Sequence, residues 1–264
     1  MYQCPLCQAS LAAQERSWRC SNGHSFDIAR EGYVNLLPVQ QKKSLQPGDN
    51  MEMMQARRAF LQAGHYQPLS DAANALLAQH CHAVPVLDIG CGEGYYSARL
   101  SAALAAPVYG LDISKTAIRY AAKRYPDLHW CVASSYQLPF QTGQFGGLLR
   151  IYAPSQAEEM ARVTQPGGWL LTVSPAPEHL LEFKQQAYQQ VRLHSAEIKA
   201  ETGFRHQQRQ RLQLAWQAPD ATAMQQLIEM TPLAYKLNQT QRDNLLGELK
   251  PVQLDFYLDL YQRL

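Results

Sequence analysis

Long apolar runs are missing from this chain of 264 residues; none approaches the roughly 20 consecutive apolar residues that a bilayer-spanning helix needs, which excludes a helical membrane protein. A secretory start is missing too. Met1-Tyr2-Gln3-Cys4 has no basic opening, apolar stretch or small-residue cleavage site, so a cytoplasmic location is expected, where disulfides are scarce. Neither sign of charge dominates: 24 Lys and Arg stand against 22 Asp and Glu, giving a formal net charge of +2 and a pI near 8.2. Dedicated nucleic-acid-binding domains often exceed a pI of about 9, so charge alone neither supports nor excludes RNA. Basic residues gather only at Lys42, Lys43, Arg57 and Arg58, and again at Arg205, Arg209 and Arg211; such runs read first as solvated faces. No internal repeat is visible.

The length lies between the usual sizes of one and two domains, which fits a small module joined to one full domain. Cysteine is sparse but uneven. Cys81, Cys91 and Cys131 stand far apart in apolar surroundings and read as buried packing residues. The other three crowd into the first twenty residues as Cys4-x2-Cys7 and Cys20-x3-His24, with twelve residues between the pairs. Pairs on short loops let two side chains reach one ion, and three thiolates with one imidazole complete the closed tetrahedral shell of structural zinc. A redox pair in Cys4-x2-Cys7 is the alternative, but it needs no fourth ligand. The aromatic residues around these pairs suggest a hairpin too small to hold itself together without metal. The module is expected over residues 1–37, a polar linker with Pro47 and Gly48 over 38–50, and a larger domain over 51–264.

The larger domain begins with helical spacing from Met51 to Ala63 and a stop at Gly64. Its strongest signal is Val86-Leu87-Asp88-Ile89-Gly90-Cys91-Gly92-Glu93-Gly94, an apolar strand that enters a glycine-rich turn and then a helix. Glycines 90, 92 and 94 let backbone approach a ligand, and the following helix aims its N-terminal N–H groups at the site, favouring a carboxylate there. A dinucleotide fold would show G-x-G-x-x-G; G-x-G-x-G with Asp88 in the strand instead resembles class I S-adenosylmethionine-dependent methyltransferases, a Rossmann-like fold with a doubly wound, seven-stranded sheet. Asp112 ends the next short strand, where a carboxylate accepts ribose hydroxyls, and Ser114 caps the helix after it. Ser134-Ser135-Tyr136-Gln137-Leu138-Pro139-Phe140 resembles the family's adenine-facing loop with Ser134 in place of the usual Asp. A fourth strand from Phe145, a Pro166-Gly167-Gly168 turn into a fifth, a helical region over 175–201, a strand over 210–216, a helix over 221–230 and a last strand over 251–261 complete the expected order.

Such a fold does not name its acceptor. Cys4-Pro-Leu-Cys7, Glu31-Gly-Tyr-Val-Asn-Leu-Leu-Pro38, Pro47-Gly-Asp49, Met53-Met-Gln-Ala-Arg-Arg-Ala-Phe-Leu61, Gly64-His-Tyr-Gln-Pro-Leu69 and Asp88-Ile-Gly-Cys-Gly-Glu-Gly-Tyr-Tyr96 together resemble the RlmA family of 23S ribosomal RNA guanine-N1 methyltransferases. That resemblance implies a guanine in a 23S rRNA hairpin loop as acceptor, a zinc module that grips RNA, a homodimer, and cofactor contacts at Tyr66, Gly92, Glu93 and His179. The chain has Ser155 where enteric members carry a cysteine, which argues against an essential thiol there. Tyr95, Tyr96 and Tyr152 are candidates to stack on an extruded base, with core packing as the alternative. The base that takes the N1 proton is not assigned by the sequence. Two other readings stand beside this one: a small-molecule, quinone-like C-methyltransferase, and a non-catalytic RNA-binding protein that keeps the fold.

Overall fold

A computed structural model describes residues 2–41 and 50–264; Lys42, Lys43, the Pro47-Gly48-Asp49 turn and most of the expected linker lie outside the described residues. Strands β1 (Leu11–Gln14), β2 (Ser17–Cys20) and β3 (Ser25–Asp27) form a small antiparallel sheet in the order β1-β2-β3. Then come β4 (Val34–Asn35), α1 (Met51–Gln62), α2 (Gln67–Ala78), β5 (Val86–Ile89), α3 (Tyr95–Ala103), β6 (Val108–Asp112), α4 (Lys115–Arg124), β7 (His129–Val132) and β8 (Phe145–Ile151). The chain continues through α5 (Ala157–Val163), β9 (Thr164–Pro175), α6 (Leu181–Ala187), β10 (Phe204–Trp216), α7 (Ala221–Glu229), α8 (Gln239–Glu248) and β11 (Val252–Arg263).

The large sheet has the order β10-β11-β9-β8-β5-β6-β7-β4, with β11 antiparallel to both its neighbours and the remaining pairs parallel. It holds eight strands where seven are expected. The eighth is Val34–Asn35, from the end of the stretch expected in the N-terminal module, which pairs in parallel with Cys131 and Val132 and is continued by Leu36 N–H donating to the Val132 carbonyl. Tyr2, Cys4, Leu11 and Cys20 share one apolar cluster with Leu87, Phe140, Phe145 and Leu148, so the two parts of the chain bury a common core.

Local sequence accounts for most elements. All four residues of β5 are buried, because helices cover both faces of a parallel sheet. Asn50 caps α1 by accepting from Met53 N–H at 2.8 Å, and Gly64, with φ +84°, turns the chain out of it. Ser114 caps α4 as expected, and Lys123 and Arg124 fall in its last turn, where cations suit the helix dipole.

Two expectations for the C-terminal part are corrected. The helical region over 175–201 contains one short helix, α6; residues 188–202 are irregular. That stretch offers mostly exposed polar residues and no apolar face to bury. Its carbonyls find side-chain donors instead: Arg209 reaches Ala196 O at 2.5 Å and Glu197 O at 3.2 Å, and Tyr261 Oη reaches Lys199 O at 2.7 Å. The strand expected over 210–216 starts six residues earlier, at Phe204, and the added part is almost wholly polar because β10 is a sheet edge with little burial. The final strand runs on to Arg263.

Candidate active site and metal centre

The metal ligands predicted from spacing converge. Cys4 Sγ lies 3.5 Å and Cys20 Sγ 3.4 Å from His24 Nδ1, Cys7 Sγ lies 3.7 Å from Cys20 Sγ, and all four ligand atoms are within 4.8 Å of one another. Zinc about 2.3 Å from sulfur and about 2.0 Å from nitrogen in a tetrahedron places neighbouring ligands roughly 3.5–3.8 Å apart, so the cluster already has the size of the ion's shell. Two tight turns make it. Gln8 N–H donates to Cys4 O at 2.8 Å in the first, and Gly23 N–H to Cys20 O at 3.0 Å in the second. Hydrogen bonds from the Ala9 backbone and the Asn22 side chain lower the Cys7 thiol to about 6, favouring the thiolate that binds metal. Four protein ligands leave no open position for chemistry, and the centre is structural zinc.

The glycine turn sits at the carboxyl ends of β5 and β6, where α/β sheets bind their ligands. Gly90 and Gly92 are both in the left-handed region, for different reasons. A Cβ on Gly90 would meet Ala153 Cβ at 2.3 Å, whereas one on Gly92 would meet nothing within 4 Å and would project into open space. That space is the cradle. Asp112 faces it from the end of β6, accepting Gly92 N–H at 2.9 Å on one carboxylate oxygen and Ser114 N–H at 2.7 Å on the other, which fixes the carboxylate where folds of this kind receive a ribose. Gly94, also left-handed, opens α3, whose first turn carries no acidic residue and no side-chain cap, leaving N–H groups suited to a carboxylate. These residues fit S-adenosylmethionine.

Asp88 stands under the turn rather than in the cradle. It is 2% exposed and accepts the Ser97 hydroxyl at 2.6 Å; burial, with Asp112 nearby, pushes its carboxyl up to about 7. The Glu93 side chain turns toward α1 and pairs with Arg58 through two 2.6 Å hydrogen bonds, and the Arg58 guanidinium stacks 3.5 Å from the centre of the Tyr120 ring. Ser134 Oγ accepts Tyr136 N–H at 3.2 Å and so shapes the loop in which Asp is usual. Tyr66 is buried edge-to-face against Phe60 and Phe256. His179, after β9, is buried; burial, with His194 and Lys184 near it, lowers its imidazole to about 3, so the ring is neutral. Its Nδ1 accepts Asp255 N–H at 3.2 Å, which leaves the proton on Nε2.

Beside the turn lies a cavity of about 520 Å³ at the ends of β8 and β9, walled by Tyr136, Tyr152, Ala153, Ser155, Glu197 and Tyr261 among others. Ala153 is also the residue that forbids a side chain on Gly90, so cradle and cavity share a wall. Tyr136 and Tyr152 are about half exposed, whereas Tyr95 and Tyr96 pack against the core. Arg150, at the base, donates to Ser155 Oγ at 2.7 Å and pairs with buried Glu201 at 2.6 Å, fixing the irregular segment to β8. Sequence reasoning missed Arg150 and Lys184. It also left Arg58, Arg209 and Arg211 on solvated faces, but they pair with Glu93, Asp259 and Asp255.

No helix among the described residues is long and apolar enough to cross a membrane. Residues 2–45 match the family described as "RlmA, N-terminal", and residues 86–168 match a methyltransferase domain. A 23S rRNA (guanine(748)-N(1))-methyltransferase of Streptomyces fradiae is 40% identical over 186 residues, covering 69% of this chain and 65% of that protein. YxjB of Bacillus subtilis, provisionally a 23S rRNA (guanine-N(1)-)-methyltransferase, is 34% identical over 276 residues, covering 98% of this chain and 95% of the relative. A protein of Micromonospora griseorubida with the same provisional name is 39% identical over 205 residues, 69% of this chain and 68% of its own length. With its Cys3His zinc centre, its class I methyltransferase fold and a relative matched over nearly its whole length, the chain belongs to the RlmA family of S-adenosylmethionine-dependent 23S rRNA (guanine-N1)-methyltransferases.

Proposed function

We propose that this protein methylates N1 of one guanine in a hairpin loop of 23S ribosomal RNA, in the cytoplasm, with the guanine extruded into the cavity beside the glycine turn. The observation that carries this reading is the wall shared through Ala153, which sets an aromatic-edged cavity of about 520 Å³ next to the cofactor cradle. That volume admits a nucleotide, and Tyr136 and Tyr152 are placed to stack on its base. The names of the Streptomyces, Bacillus and Micromonospora relatives support guanine N1 as the acceptor.

When bound, S-adenosylmethionine supplies a methyl group on a positively charged sulfur. Asp112, Ser134 and the backbone of Gly90, Gly92, Glu93 and Gly94 hold it, with Asp88 bracing the turn from below and Tyr66 and His179 closing the side toward β9. The protein's own task is then to extrude the base, orient N1 and exclude water. Guanine N1 carries a proton that must leave. Of the carboxylates at the cavity, Asp259 is held by Arg209 at 2.8 Å and His206 at 2.9 Å, so Glu197 is the acceptor in this reading. A homodimer in which two zinc modules frame one RNA cleft belongs to the same proposal, and sedimentation of the purified protein with and without the hairpin tests it.

The deciding experiment is methyl transfer from radiolabelled S-adenosylmethionine to 23S rRNA from a strain lacking the protein, followed by nucleoside analysis. Label in 1-methylguanosine is expected. Label in another nucleoside, or none in RNA while the cofactor still binds, would overturn the substrate assignment.

A further inference from the structure

Among the described residues, two buried side-chain polar atoms have no hydrogen-bond partner: the Tyr95 hydroxyl and the Lys184 amine. The amine is the more costly omission, since a buried cation without an acceptor is disfavoured far more strongly than a hydroxyl. Lys184 is 7% exposed, on the face of α6 turned inward. The carboxylate that acts on it is Asp255, and that group is already committed. Asp255 accepts Arg211 Nε at 2.9 Å, Arg211 Nη2 at 2.8 Å and Glu178 N–H at 3.0 Å. Burial lowers the Lys184 pKa, with Asp255 opposing the shift.

The neighbours of the amine are His179 and His194, whose rings are 6.5 Å apart. His179 in turn is 6.1 Å from the ring of Tyr152, at the wall of the acceptor cavity. Tyr152 and Leu180, the residue after His179, both hold left-handed backbone angles (φ 54° and 53°) that side chains other than glycine rarely adopt. An amine without a partner, two imidazoles and a strained wall therefore lie side by side, with His179 joining them to Tyr152 at the cavity. Lys184, His179 and His194 are not among the residues that wall the cavity, and the cluster meets it through Tyr152, so contact of the amine with a ligand there requires a change of rotamer.

We propose that the Lys184 ammonium, flanked by His179 and His194, receives an anionic oxygen of the methyl-transfer complex, and that this oxygen is O6 of the acceptor guanine. The inference rests on the guanine-N1 reading above. As the N1–H bond breaks, its proton passes to the Glu197 carboxylate and charge spreads from N1 onto O6. The N1 electron pair forms the bond to the methyl carbon, and the carbon–sulfur bonding pair stays on sulfur as a neutral thioether. The hydrogen bond from Lys184 to O6 is strongest when the charge on that oxygen is greatest.

The test is Lys184→Met, with Lys184→Gln beside it in case the apolar side chain perturbs packing. Three quantities are measured for each and for wild type: melting temperature, S-adenosylmethionine affinity by calorimetry, and single-turnover methyl transfer to the 23S hairpin. Removing an unpaired buried charge is expected to leave the melting temperature equal or higher, with cofactor affinity within threefold and the transfer rate lower by about 100-fold or more. If cofactor affinity falls instead by a similar factor, the anionic oxygen is the cofactor's carboxylate, and the O6 assignment is overturned. Variants that are stable and transfer methyl at the wild-type rate would overturn the anionic-oxygen role as a whole. Failure of the wild-type protein itself to label the hairpin would instead remove the substrate reading, and the O6 assignment with it.

Discussion

The Arg58 guanidinium holds the Glu93 carboxylate through two hydrogen bonds of 2.6 Å, tying α1 to the glycine turn across 35 residues of chain. Both side chains are largely shielded from solvent, and Tyr120 stacks on the guanidinium, so the pair is more ordered than a surface ion pair. Arg58→Ala is expected to weaken S-adenosylmethionine binding about tenfold, near 1.4 kcal/mol. Calorimetric titration checks this; unchanged affinity would show that the turn keeps its shape without α1.

Gly90 and Gly92 separate packing from ligand access. Gly90→Ala drives a methyl group against Ala153 at 2.3 Å and adds left-handed strain, and should cost on the order of 3 kcal/mol of stability. Gly92→Ala meets only strain, about 1 kcal/mol, but puts its methyl group into the cradle and should weaken cofactor binding more than it lowers stability. Urea denaturation and a binding titration on both variants distinguish the two cases, and the double variant Gly90→Ala, Ala153→Gly should recover part of the first loss.

Asp88 makes stability pH-dependent. Burial raises its carboxyl to about 7, against about 3.9 in the unfolded chain, so the folded state binds the extra proton. Its favourable contribution is therefore fully present at low pH and is lost as pH rises between these two values, by a few kcal/mol at most. Asp88→Asn keeps an acceptor for the Ser97 hydroxyl but cannot ionise. Between pH 5 and 8 the wild type should lose stability relative to this variant; parallel curves would rule out the raised carboxyl.

Zinc removal should act on the small sheet first. The ligand loops flank β1 and β2, and Trp18 on β2 packs edge-on against Tyr2 at 4.9 Å, so chelation should change tryptophan emission. Metal analysis is expected to give about one zinc per chain, and less for Cys7→Ser. Because Cys4 and Cys20 share a core with β5 and β8, the melting temperature should fall as well. RNA affinity is expected to drop by at least tenfold while cofactor affinity changes little, and equal losses of both would contradict a role for the module in gripping RNA.

The sequence by itself determined the features whose parts are close together in the chain. Cys4-x2-Cys7 and Cys20-x3-His24 each close on one turn, the glycine turn lies between one strand and one helix, and Asp112 ends the next strand. In these places local geometry leaves few alternatives. Tertiary structure decided where partners are distant or where a polar segment has no hydrophobic period to read. It paired Arg58 with Glu93, and Arg150 with Glu201 across 51 residues; it gave Val34 and Asn35 to the far edge of the large sheet; and it left residues 188–202 irregular under side-chain donors from β10 and β11. Lys184 shows the limit most clearly. Nothing in Leu181–Ala187 marks that residue, because its meaning comes from Asp255 being spent on Arg211 and from two histidines that only the fold brings beside it.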